Sequence, residues 1–124
     1  MILRIEEGID IPIYQQIRNQ IVYGISSGEL AAGEQLPTVR ALAAEIGVNV
    51  MTVSKAYQTL KAEGYIVTER KRGARVREKM TESKRLSLVN RRELERIISE
   101  ARLSGMKRAD FIQVVDQIYA EVES

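Results

Sequence analysis

The chain of 124 residues contains no cysteine and no histidine. The first absence excludes disulfides, thiolate nucleophiles and zinc–sulfur sites. The second removes the commonest general base and the commonest nitrogen ligand for metals. Phosphate loops of the G-x-x-x-x-G-K form and paired-acid constellations are also missing, and Ser54 and Lys55, adjacent on one helix, point in different directions. An enzyme, a metal site and a cofactor site are therefore not expected. No apolar run approaches the length needed to cross a bilayer, and the start "MILRIEEGID" has neither the basic residues nor the apolar stretch of a signal peptide. The expectation is a cytoplasmic protein without membrane contact. Net charge is small, at +2, but it is unevenly placed: residues 70 to 77, "RKRGARVR", carry five basic side chains and no acid.

Apolar residues make up 44% of the chain, enough for a core in one domain, or in one small domain with an appendage. Residues 2 to 5, "ILRI", read as a short strand. Pro12 opens a helix on which Ile13, Ile17, Ile21 and Ile25 recur on one face, and Gly28 stops it. "LAAGEQLP" reads as a connector. Thr38 caps a second helix to about Ile46, with Leu42, Ala43 and Ile46 inward. After Gly47-Val48, Asn49 caps a third helix to about Glu63, on which Val53, Ala56, Tyr57 and Leu60 fall at i, i+3, i+4 and i+7. "YIVTE", "RKRG" and "ARVR" then read as strand, turn and returning strand. From about residue 80 the chain is expected to be helical again, in two pieces split at Ser104-Gly105.

Two short helices joined by a tight glycine-containing turn are a helix-turn-helix signature, and a basic-tipped hairpin directly after them makes a winged variant. The expected fold is α+β, mostly α. Residues 1–78 form a winged helix-turn-helix DNA-binding domain, and residues 79–124 form a short C-terminal helical hairpin for dimerisation. The stretch from Pro12 to Ile66 carries P-x-Y-x-Q-I, I-x-x-G-x-L-x-x-G-x-x-L-P-x-V-R-x-L-A, a G-V-N turn, T-V-x-K-A-Y and L-x-x-E-G. Through these motifs it closely resembles the DNA-binding domain of GntR-family bacterial transcription regulators. The V-N-x-x-T-V-x-K-A-Y form with a short tail looks most like the YtrA-type subfamily. The resemblance implies a dimeric regulator, most often a repressor, that binds double-stranded DNA at a palindromic operator, with transporter genes among the targets. It leaves room for an unidentified small-molecule effector.

The resemblance assigns Arg40 to the DNA backbone. Asn49 is a helix cap that could also contact DNA. Thr52 and Ser54 can donate to phosphates or base edges, and Lys55 can reach phosphate. Gln58 lies a turn beyond. At Val50 many relatives place an arginine or another polar residue able to hydrogen-bond guanine, which valine cannot do. Val50 and Met51 are left to touch thymine methyl groups or, in the case of Met51, to pack on the domain itself. Arg70, Lys71, Arg72 and Gly73 form the wing tip, with Arg75 and Arg77 flanking the same groove. Family wings often read G-x-G, whereas this one reads R-G-A-R.

In the last quarter, Leu94, Ile97, Ile98 and Ala101 make one apolar stripe, and Phe111, Val115, Ile118 and Val122 another. They are expected to pair with a second copy, because two helices this small leave apolar surface uncovered. Arg91, Arg92, Arg96 and Arg102, interleaved with Glu93, Glu95 and Glu100, read as an ion-paired solvent face. The rival reading is a winged-helix protein-interaction module without DNA binding. The basic wing and Arg40 count against it.

Overall fold

The structure, a computed structural model, describes residues 1–123. Ser124, the last position of the expected C-terminal region, lies outside the described residues. The elements run α1 (Ile13–Ser27), α2 (Val39–Ile46), α3 (Val50–Ala62), β1 (Ile66–Glu69), β2 (Gly73–Val76), α4 (Leu88–Leu103) and α5 (Arg108–Glu123). Met1–Met80 form one compact unit, and a second begins at Thr81.

In the first unit α3 is the central element, packed against α1, α2 and β1. Its inward residues Val53, Ala56, Tyr57 and Leu60 are all buried. They meet Ile17 and Ile21 of α1, Leu42 and Ala43 of α2, and Ile66 and Val76 of the hairpin in one core. Both helices of the helix-turn-helix start on side-chain caps. The Thr38 hydroxyl accepts from the Ala41 amide at 3.0 Å, and Asn49 Oδ1 accepts from the Met51 amide at 2.8 Å. Such caps satisfy amides that the first helical turn leaves free. Between the helices Gly47 sits at φ 71°, a left-handed conformation that favours glycine, and Val48 donates back to the Ala43 carbonyl.

The Tyr57 side chain is tied into this core. Its hydroxyl donates to the Pro37 carbonyl at 2.7 Å, and burial pushes the phenol pKa upward, so it keeps its proton. At the C-terminal end of α3, Arg18 of α1 grips both carboxylate oxygens of Glu63 at 2.9 Å and lies over the Tyr65 ring. The Glu63 hydrogen bond is the main reason that the Arg18 pKa is raised.

Three features depart from the sequence reading. Residues 2–5 form no strand. They do alternate, with Met1, Leu3 and Ile5 turned to the core, but no strand lies beside them. Glutamine side chains of α1 take its place. Gln20 both accepts from the Arg4 amide and donates to the Arg4 carbonyl, and buried Gln16 does the same for Glu6 while also donating to the Ile11 carbonyl. Second, the connector before Pro37 is not only a link. Gly33, Glu34 and Leu36 exchange backbone hydrogen bonds with Ala74 and Val76, forming a third edge beside β2, and Leu30 and Leu36 are buried. Third, the C-terminal helices begin at Leu88, not near residue 80, where Ser87 caps the Asn90 amide.

In the second unit α4 packs on α5, yet neither helix has a buried residue. Leu94, Ala101, Phe111, Val115 and Val122 are half-buried, whereas Ile97, Ile98, Val114 and Ile118 are exposed. The charged face pairs as expected for Arg91 with Glu95 (3.4 Å), and for Arg96 with both Glu93 and Glu100.

Candidate nucleic-acid interface

The N-terminal half of α3 presents a face that the core does not use. Val53, Ala56 and Tyr57 point inward, so helical geometry turns Met51, Thr52, Ser54 and Lys55 away from the core. Met51 is 77% exposed, and Val50 40%. Met51 therefore does not pack on its own domain, and that alternative is removed. Asn49, Met51, Thr52, Ser54 and Lys55 line one shallow hollow together with Ile13 and Tyr14 of α1 and with Gln58. No acid is among these residues. Asn49 Oδ1 is occupied by the cap, which leaves its amide nitrogen as the group available to a partner.

A second hollow, of about 350 Å³, separates α3 from the wing. Ser54, Gln58 and Lys61 form one wall, Thr68, Gly73 and Ala74 another, and Gln35 and Thr38 complete it. Gln58 lines both hollows and donates to the Ser54 hydroxyl at 3.2 Å. The sequence reading places Gln58 a turn beyond Ser54 and less able to reach DNA, and the structure sets it in the lining of both hollows. The signal available was its spacing, one full turn from Ser54 on the same face.

The wing hairpin pairs Ile66 with Val76, Val67 with Arg75, Thr68 with Ala74 and Glu69 with Gly73, so Arg70, Lys71 and Arg72 make the tip. Gly73 has φ 69°, which turns the chain back where a side chain would be strained. The basic residues of the wing and Arg40 of α2 divide into two groups. Arg40, Arg70 and Lys71 are exposed, and their side chains form no hydrogen bond or ion pair with any described residue. Arg72 is 3.8 Å from Glu69 on the surface, a pairing that solvent largely screens. Arg75 is different. Its guanidinium donates twice to the Gly33 carbonyl, at 3.1 and 2.8 Å, and lies 3.9 Å from Glu69. It fastens the wing to the connector, a structural role that the sequence reading, which set Arg75 beside a DNA groove, did not give it. Arg77 is half-buried beside Gly64.

The arrangement combines an acid-free helix end rich in short polar and apolar side chains with unpaired cations on α2 and on the wing tip. Such a surface can sit against base edges while cations meet phosphates on either side. Among the described residues no group of three or more acids could hold a metal ion, and no helix is long and apolar enough to cross a membrane.

Comparison with known proteins points the same way. The profile of the family described as bacterial regulatory proteins, gntR family, matches residues 13–76. The HTH-type transcriptional repressor YtrA of Bacillus subtilis (strain 168) is 33% identical over 123 residues, covering 98% of this chain and 95% of that protein. The structure of YtrA from Sulfolobus acidocaldarius, a GntR-family transcription factor, is similar at a TM-score of 0.62 and 40% identity, over 82% of this chain and 97% of that one. The AraR DNA-binding domain in complex with operator ORX1 shares the fold at a TM-score of 0.54 and 23% identity, over 61% of this chain and 95% of that one.

Proposed function

The chain belongs to the GntR family of bacterial regulatory proteins and is a YtrA-type, DNA-binding transcription regulator, and on that premise we propose that it acts as a dimeric repressor. The proposed dimer holds two copies of α3 against successive major grooves of a palindromic operator. One observation carries this reading. The N-terminal half of α3 is free of acids and exposes Val50 and Met51, and it lies on the same unit as Arg40, Arg70 and Lys71, which pair with no acid among the described residues.

Within that interface, Asn49, Thr52 and Ser54 face base edges or phosphates. Val50 and Met51 supply apolar contact of the kind that suits thymine methyl groups. Arg40, Lys55, Arg70, Lys71 and Arg72 meet the backbone, and Gly73 lets the wing tip approach closely. A second copy covers the apolar stripes of α4 and α5, Leu94, Ile97, Ile98 and Ala101 on the first and Phe111, Val115, Ile118 and Val122 on the second, of which Ile97, Ile98 and Ile118 are exposed and the others half-buried. Repression follows if the bound dimer excludes polymerase from a promoter, and transporter genes are the proposed targets. An effector, if one acts, is a small molecule of unassigned chemistry. The proposed place of action is the cytoplasm.

Arg40→Ala tests the backbone contact. Removing one phosphate contact from each protomer should weaken binding to all sequences alike and lower the salt slope of log K by about 0.9 per contact, or about 1.8 for the dimer. Titrations of wild type and variant across a salt series measure this, and an unchanged slope contradicts the assignment. The protein-interaction alternative predicts no salt-sensitive DNA binding by the wild type.

A further inference from the structure

Resting on the reading that α3 faces DNA, we propose that Tyr14 of α1 is a positioning residue that holds the Lys55 ammonium ready for a backbone phosphate. The Lys55 Nζ stands 4.1 Å from the centroid of the Tyr14 ring. An aromatic face carries negative charge density and attracts a cation at this range. The Lys55 side chain forms no hydrogen bond or ion pair with any described residue, so the ring is the ammonium's one partner within the described fold. Tyr14 is itself fixed. It is half-buried against the core, at the start of a helix that packs along α3.

The other cation–aromatic pair of this unit, Arg18 of α1 with Tyr65 between α3 and β1, differs in one respect. Arg18 lies 5.5 Å from the Tyr65 ring, but its Nε and Nη2 donate to the Glu63 carboxylate and its Nη1 to Asn19 Oδ1, so its charge is paired inside the fold. Lys55 has no such acid. An ammonium has three N–H donors, and a ring on one side leaves donors free on the other. Lysine otherwise loses much rotamer freedom when it binds a phosphate. A ring that has already restricted the side chain lowers that loss, the general benefit of preorganisation. Tyr14 and Lys55 line the same acid-free hollow as Met51 and Thr52, which places the held ammonium at the edge of the proposed contact face. By this account α1 contributes to DNA binding through Lys55 and not by touching DNA.

The test uses the full chain and a mixed-sequence DNA duplex, because a phosphate contact does not depend on sequence. Tyr14→Leu should weaken binding by about two- to fivefold, the lower part of the cost of ordering one rotamer-rich side chain on binding. Tyr14→Phe, which keeps the ring face, should restore most of that loss. In a Lys55→Ala background Tyr14→Leu should cost nothing further. In the free protein, the Lys55 side-chain protons should show an upfield ring-current shift in NMR spectra that Tyr14→Leu removes and Tyr14→Phe retains. An equal loss in both backgrounds would mean that Tyr14 acts only through packing, and would overturn the proposal. So would unchanged or tighter binding by Tyr14→Leu, the result expected if Lys55 must leave the ring to reach DNA. Absence of salt-dependent binding by the wild type would instead remove the underlying DNA reading, and the proposal with it.

Discussion

Leu42→Ala should lower the stability of the first unit by about 3 kcal/mol, within the roughly 2–5 kcal/mol typical of leucine truncation in a core. Leu42 is 0% exposed and belongs to the core that joins α2 to α3. The loss has two parts: the transfer energy of the removed methyl groups, and the cavity left behind. Rigid neighbours enlarge the second part. The α2–α3 turn is held by the Gly47 conformation and by two side-chain caps, so α2 has little freedom to sink into the gap. A small domain has only about 5–15 kcal/mol in all. At roughly 4–8 °C per kcal/mol, the melting midpoint should fall by about 10–25 °C. Urea denaturation should show the same loss with an unchanged m-value. Where the variant is still folded, the outer face of α3 is intact and DNA affinity should be close to that of the wild type. A loss below about 1 kcal/mol would mean that the α2–α3 contact is not the centre of the core.

Ile118→Glu should give the largest functional effect. Ile118 is 51% exposed on α5, so the change removes little from the single chain. In the proposed dimer the same position is covered by the partner, and a carboxylate there would be buried without a cation. Such burial costs several kcal/mol, enough to dissociate a modest interface. Two linked binding modules gain about 10²- to 10⁴-fold over one. Operator affinity should therefore fall by about a hundredfold or more, while affinity for a duplex carrying one half-site stays the same. Light scattering at micromolar concentration should show a monomer. A variant that remains dimeric, with unchanged operator binding, would move the interface away from α5.

The parts of this fold legible in the sequence are those set by local rules. Caps at Thr38 and Asn49, the Gly47 turn and the four-residue inner face of α3 are each decided within one or two helical turns, and the structure places them as read. What escaped reading is non-local. Residues 2–5 have strand-like alternation, but whether a strand forms depends on a partner, and here the partners are the side chains of Gln16 and Gln20. The edge at residues 33–36 pairs with β2 from 42 positions away at the Arg75–Gly33 contact, with no alternation to announce it. For the same reason a run of basic residues does not disclose which of them the fold consumes. Arg70 and Arg75 look alike in sequence, yet only the second is bound to a carbonyl of the connector. The candidate interface was legible as a list of residues on α2, α3 and the wing. The hollow that joins α3 to α1 through Tyr14 was not, because it forms only when the two helices pack.

The absence of cysteine permits the most direct test of the claim that the outer face of α3 meets DNA. Met51→Cys creates a single thiol at a 77% exposed position, and an iron–EDTA reagent attached there cuts any DNA held close to it. Ser26→Cys, on the exposed surface of α1 at the end away from Tyr14, serves as the control. With promoter DNA from the protein's own operon, the label at position 51 should cut within the major groove at two places, about one helical turn (~34–36 Å) apart. The label at position 26 should not cut. Cleavage from position 26 and none from position 51, with binding intact in both variants, would contradict the account.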